Sequence, residues 1–233
     1  MFIVIEGIDL VGKTIQHAKL VQCLSGQGFD VASYSFPAYR SPTGEVIRSH
    51  LEGRVLLDSA EVGEITGVKL KPVRSEHDSL MFQCLQVVDK YAAAPKILRD
   101  LRSLKTVVCC RWWQSALAYG LEASADADWV RRTTDLLPRA DVNILLDLDP
   151  CEARRRPGVS PDRLEVDLSL QSRVRQRYLD IWKRHDDRES GLWTMVDAEG
   201  DAETVHGRIL TIMKCSGILL DVGSPGSVTE VSG

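Results

Sequence analysis

Asparagine occurs once in the 233 residues, at Asn143, so the guanine-reading N-K-x-D of GTPase switches cannot be present. No stretch approaches the ~20 apolar residues that a membrane-crossing helix needs. The opening Met1-Phe2-Ile3-Val4-Ile5-Glu6 lacks the basic start and longer apolar core of a secretion signal. Positive charge is not in excess: 29 Lys and Arg face 33 Asp and Glu, a net charge of -4. Without an overall basic field the chain is not built to hold a nucleic-acid duplex, and any anion must be gripped locally. The six cysteines (Cys23, Cys84, Cys109, Cys110, Cys151, Cys215) contain no C-x-x-C pair, and the five histidines (His17, His50, His77, His185, His206) form no cluster. Neither a zinc site nor a redox motif is written here, and reduced, mostly buried thiols are expected. These absences predict a soluble, cytoplasmic protein with no membrane or nucleic-acid partner.

What is present is an ordinary globular composition, 44% hydrophobic and 27% charged, enough for one sizeable core. Phe2 to Glu6 is a short apolar run ending in Gly7, and helical spacing follows through Ile15, Ala18, Leu20, Val21 and Leu24. Val31 to Phe36 alternates as a strand, and a short helix is expected from about Glu45 to Leu51. The polar stretch from Glu52 to Arg74 has no clear period. Helical spacing returns near Glu76 and runs toward Leu101, with Pro95 a candidate bend. Thr106 to Cys110 and Val142 to Asp147 read as buried strands, and a last strand is expected near Trp193 to Val196. Helices are expected at about Gln114 to Glu122, Asp128 to Leu137, Leu168 to His185 and Asp201 to Cys215. Five strands alternating with helices predict an α/β fold, a parallel sheet covered on both faces, with ligands beyond the carboxyl ends of the strands. Residues 1–215 are read as one domain and 216–233 as a flexible tail.

Gly7-Ile8-Asp9-Leu10-Val11-Gly12-Lys13-Thr14 fits G-x-x-x-x-G-K-[ST], with a predicted strand before it and a helix after it. Glycines let main-chain N–H groups curl around a polyphosphate at the positive end of a helix. Lys13 neutralises phosphate oxygens there, and the Thr14 hydroxyl can ligate Mg²⁺. The fold is therefore read as a three-layer α/β/α P-loop NTPase with a five-stranded parallel sheet. A dinucleotide fold would want G-x-G-x-x-G after the first strand, which is absent.

From Phe2 to about Cys215 the chain resembles the thymidylate kinase family, with four motifs in order. Glu6-Gly7-Ile8-Asp9 with Gly12-Lys13-Thr14 is similar to E-G-x-D-x-x-G-K-[ST]. Phe36-Pro37-Ala38-Tyr39-Arg40-Ser41-Pro42-Thr43-Gly44 is similar to F-P-x-R-x-T-x-x-G. Arg111 to Tyr119 is similar to D-R-Y-x-x-S-x-x-A-Y, and Asp162-Arg163-Leu164-Glu165 to the D-R-x-E that closes the family's lid. The resemblance implies ATP as phosphoryl donor, dTMP as acceptor, Mg²⁺ as cofactor and a homodimer.

The resemblance also assigns roles. Asp9 would hold the acceptor sugar and help align its phosphate, while Phe36, Arg40 and Arg111 line the acceptor pocket; a planar guanidinium can grip a monophosphate with two parallel hydrogen bonds. Phe82, Gln86 and Lys90 share one helix face at i, i+4, i+8. The family sets a thymine-stacking ring and a polar base reader there, and either Phe82 with Gln86 or Gln86 with Lys90 can be that pair. Phe82 can equally be a core aromatic. Tyr119 would close off the sugar's 2′ position, or simply pack on the sheet, and at most one of Trp112 and Trp113 can face the pocket.

Arg154, Arg155 and Arg156 with Arg163 make a basic run within an arginine-rich lid, about 151–165; otherwise they are a solvated helix face. Leu10 and Val11 leave the phosphate loop without a basic residue, so the resemblance implies that lid arginines serve the transferring phosphoryl. Two positions depart from the family. Cys110 replaces the Asp before Arg111, which bears on metal handling, and Ile15 replaces a second Thr. Asp147 is a candidate compensating metal carboxylate, or a plain strand terminus. The chain is thus expected to be a thymidylate kinase. A broader deoxynucleoside monophosphate kinase, or a nucleotide-binding relative silenced at Cys110, is the alternative.

Overall fold

The structure, a computed structural model, describes residues 1–52, 80–120, 127–156, 167–184 and 191–218. Five strands are present: β1 (Phe2–Gly7), β2 (Val31–Ser35), β3 (Thr106–Cys110), β4 (Val142–Asp147) and β5 (Leu192–Asp197). They form one parallel sheet in the order β2-β3-β1-β4-β5. This order explains the two sequence patterns. Central β1 has every residue buried and is apolar from Phe2 to Ile5, whereas the edge strands β2 and β5 mix exposed and covered positions.

Alternation within the central strands splits the core into layers. Ile3, Ile5, Val108 and Ile144 turn toward Leu20 and Leu24 of α1 (Lys13–Gly26) and Ile209 of the last helix, Ala202–Cys215. Phe2, Val4, Val107 and Cys109 turn the other way, onto Ile97 of the long helix Leu80–Arg102, Trp112 and Leu137. Each such side chain removed from water stabilises the fold by about 1.5–3 kcal/mol. Trp112 is fully buried between Phe2 and Phe36, its ring 5.7 and 5.1 Å from theirs, and its indole N–H donates to Pro138 O at 2.9 Å. It is a core residue. Trp113 instead lies under the Arg139 guanidinium, 4.6 Å from its ring centre.

The remaining helices, in chain order with α1, are α2 (Pro42–Leu51), α3 (Leu80–Arg102), α4 (Trp113–Gly120), α5 (Ala127–Thr134), α6 (Pro150–Arg155), α7 (Leu168–Arg184) and α8 (Ala202–Cys215). Their ends carry local reasons. Helix α2 begins three residues earlier than its apolar spacing suggests because Ser41 caps it, its hydroxyl accepting the Gly44 N–H at 3.0 Å, with Pro42 in the first turn. Helix α8 is capped by Asp201 on the Thr204 N–H. Helix α3 runs through Pro95 without interruption. Helix α6, capped by Asp149, carries Arg154 and Arg155, so the start of the arginine run is helical. The rest of the expected lid, including Asp162, Arg163 and Glu165, lies outside the described residues, as do the stretch 53–79 and residues 219–233 of the tail.

Candidate active site

The turn from β1 into α1 needs two glycines. Gly7 has φ 141, and a Cβ there would stand 2.6 Å from Leu146 O; Gly12 has φ 97 and forms the left-handed N-cap of α1. Lys13 opens the helix almost entirely buried, its ammonium donating back to Ile8 O within the loop. Burial, then the neighbouring Arg111 cation, pull its pKa down to about 8, against the pull of Asp9, Cys110 and Glu6. A buried cation with a neutral carbonyl for a partner is well placed to meet phosphate oxygens. Thr14 follows it, exposed at the start of α1.

Asp9 is the centre of the side-chain network. One carboxylate oxygen pairs with Arg111, and the other accepts from the Tyr119 hydroxyl at 2.8 Å and Gln171 Nε2 at 2.9 Å. Gln171 closes a second bond, its Oε1 accepting the Asp9 N–H at 3.0 Å. Burial works to raise the Asp9 pKa, but Arg111, Lys13 and the two side-chain donors outweigh it and hold the carboxyl below its ordinary range. The Arg111 guanidinium also lies 5.3 Å from the Tyr119 ring centre. Arg111 itself has φ 64, in the left-handed region that a bulky residue rarely adopts. The conformation is held from both sides: Arg111 N–H donates to Ile5 O at 2.9 Å, and Trp112 N–H to the buried Glu6 carboxylate at 2.7 Å. Glu6 also accepts from Ser115 at 2.6 Å and Tyr178 at 2.8 Å. Helix α7 is therefore bonded to both ends of the first turn, through Gln171 to Asp9 and through Tyr178 to Glu6.

The second flank is built around Asp89 in α3. This buried carboxylate accepts from Ala38 N–H at 2.7 Å, Thr43 at 2.6 Å and Ser41 at 3.1 Å, and so fixes the segment that carries the exposed Arg40. Next to it Lys90 is buried, donates to Gln86 O at 2.9 Å and stands 5.6 Å from the Phe36 ring centre. Burial lowers its pKa to about 8, with Asp89 and Glu6 opposing. Of the three residues spaced along α3, Lys90 thus stands beside Phe36. Phe82 has one ring face covered by His50, 4.4 Å away and nearly parallel.

Two further residues of the expected site have partners within the chain. Asp147, the candidate metal carboxylate, is bound by Arg175, which donates to both of its carboxylate oxygens at 2.7 and 2.8 Å. Arg156 is held by main-chain carbonyls of Val11, Ala198 and Gly200. Arg155 pairs with Glu152 on the surface, a contact worth well under ~1 kcal/mol. Cys110 is buried, and burial raises its thiol pKa despite Lys13 and Arg111, so the group facing them is neutral. Among the described residues no group of three or more His, Cys, Asp or Glu could hold a metal. Gln171 and Asp89 have no role in the sequence reading, and Glu6 is there only as a motif residue without one. Each is a polar side chain on an otherwise buried face, which is the one signal that could have exposed them.

Comparison with known proteins gives the same family throughout. A family model described as thymidylate kinase matches residues 5–209. The chain is 31% identical to the probable thymidylate kinase of Pyrococcus horikoshii, over 91% of this chain and 95% of that one. It is 29% identical to that of Thermococcus kodakarensis, over 92% and 97%. The thymidylate kinase of Caenorhabditis elegans is 25% identical, over 91% and 89%. Among solved structures, thymidylate kinase from Candida albicans matches with a TM-score of 0.68 at 20% identity, over 93% and 92% of the two chains, a likeness of fold.

Proposed function

Because the chain belongs to the thymidylate kinase family, we propose that it transfers the γ-phosphoryl group of ATP to dTMP, giving ADP and dTDP. It is a nucleoside monophosphate kinase with ATP as donor. The observation that carries the choice of acceptor is Asp9: a carboxylate inside a polyphosphate-binding loop repels the donor, so its retention needs a second purpose. Here it is aimed away from the loop, toward Arg111, Tyr119 and Gln171. Arg111 and Arg40 hold the acceptor phosphate, Asp9 and Tyr119 the deoxyribose, and Phe36 with Lys90 and Gln86 the base. Gly7 to Thr14 hold the donor phosphates.

Catalysis is positioning and charge neutralisation, with no covalent intermediate. Mg²⁺ fits a site of this kind, because it takes few protein ligands and is held mainly by substrate phosphates and water. Thr14 would be its protein ligand, and the ion would neutralise phosphate oxygens during transfer. Lys13 and the lid arginines Arg154 and Arg155 supply the remaining positive charge. The enzyme works in the cytoplasm as a homodimer, and residues 1–215 act as one domain.

A coupled ADP-release assay over dTMP, dUMP, dCMP, dGMP and the thymine ribonucleotide tests the proposal. dTMP should give the highest kcat/KM, and ADP release independent of any acceptor would refute it. A second reading is a broader acceptor range, because Lys90 beside Phe36 offers a compact point charge, which discriminates less between base edges than a planar fork would. Comparable rates for dTMP and another deoxynucleotide would select that reading. A relative silenced at Cys110 would instead bind ATP and dTMP in calorimetry and release no ADP.

A further inference from the structure

Arg156 ends helix α6, and its side chain reaches the phosphate loop 145 residues earlier. Nη1 donates to Val11 O at 2.8 Å. Nη2 donates to Ala198 O and, at 3.3 Å, to Gly200 O, both in the turn between β5 and α8. The guanidinium stands so close to Gly12 that a Cβ at that position would lie 3.0 Å from Nη1. Glycine at 12 thus serves its own φ of 97 and also leaves the arginine room.

A trans peptide is planar, and its C=O and the following N–H point in opposite directions. Holding the Val11 carbonyl therefore fixes the Val11–Gly12 peptide plane and turns the Gly12 N–H away from the arginine. A cation on the carbonyl also polarises the amide and strengthens its N–H as a donor. The same side chain joins this loop to the turn after β5, which Gln16 binds separately through Ala202 O at 2.8 Å.

The geometry points to Arg156 as a positioning residue for the donor polyphosphate: it locks and polarises the Val11–Gly12 peptide of the phosphate loop and does not touch the transferring group. This rests on the donor half of the proposed function and is independent of the acceptor.

The test uses R156M and R156K in the full chain, with calorimetric binding of ATP and of inorganic tripolyphosphate in the presence of Mg²⁺, and steady-state kinetics with dTMP. In R156M both ligands should bind about tenfold or more weakly, as expected for loss of hydrogen bonds from a charged donor. KM for ATP should follow, KM for dTMP should stay, and kcat should change less than about threefold. R156K should recover part of the affinity, because an ammonium can hold one carbonyl but cannot span both segments. A fall in kcat on the order of 10³-fold with ATP affinity intact would mean direct contact with the transferring phosphoryl and overturn the proposal. So would weakened ATP binding with tripolyphosphate unaffected, or unchanged binding of both. A loss of melting temperature that raised both KM values together would make the role structural only. If R156M does not fold, R156K carries the same comparison. Tripolyphosphate binding is read without turnover, so a failure of the dTMP assignment leaves this result standing.

Discussion

In the proposed reaction the two halves of the site would hold their anions by different means. The donor half is main chain: eight consecutive residues, two glycines with positive φ and a helix start that turns N–H groups toward one point. The acceptor half is side chain: Asp9 and Arg111 follow β1 and β3, and Tyr119 and Gln171 come from α4 and α7, up to 162 residues apart in sequence. A main-chain cradle tolerates changes in side chains around it, whereas a side-chain network fails when one partner leaves a buried charge unpaired. Asp9 belongs to both, and through it the acceptor network is fastened to the donor loop.

Substitutions should separate the halves. Lys13→Ala removes the one cation held inside the donor loop, and kcat should fall by roughly 10²–10³-fold or more, the scale for losing one electrostatic contact in a preorganised site; coupled ADP release measures it. Arg111→Ala leaves Asp9 buried without its counter-charge, so kcat/KM for dTMP should fall by about 10²-fold or more while calorimetric ATP affinity changes little. If ATP affinity fell in parallel, the two halves would not be separable. Gln171→Leu keeps the volume but deletes both bonds to Asp9, and kcat/KM for dTMP should fall about tenfold with the ATP terms unmoved.

Cys110→Asp places a carboxylate beside Lys13 and Arg111. The Mg²⁺ concentration for half-maximal turnover should drop by about tenfold, the usual scale for a partner one shell out from a metal; an unchanged Mg²⁺ titration would make the thiol harmless. The smallest expected effect is in pH. Lys13 is depressed to about 8, so it is charged below that value and neutral above it. kcat/KM for ATP should therefore be flat below pH 8 and decline above it with a limiting slope near one. Lys90, also near 8, should impose the same decline on kcat/KM for dTMP, and its replacement by Met should remove that decline only on the acceptor side.

The same contrast governs what can be read from the amino-acid order. The donor loop is contiguous and its mechanics are local, so strand, glycines, Lys13 and helix are visible together. The sheet was equally legible, because central and edge strands carry different periodicities. The acceptor network depends on which residues the fold brings together. Gln171 lies one position after Leu170 and three before Val174 on the buried side of α7 and looks like any helix residue until Asp9 is opposite it. Asp89 lies beside Lys90 in α3, and only the fold shows that it holds Ser41 and Thr43. Arg156 sits in a run of three arginines that share a composition and separate only in space: Arg155 on the surface, Arg156 on the phosphate loop.

The most direct measurement is product analysis with the wild-type chain, ATP, dTMP and Mg²⁺, separating the nucleotides by chromatography over a time course. The account predicts dTDP and ADP accumulating in equal amounts, with no ADP formed when dTMP is left out. ADP without dTDP, or no change in either nucleotide, would contradict it.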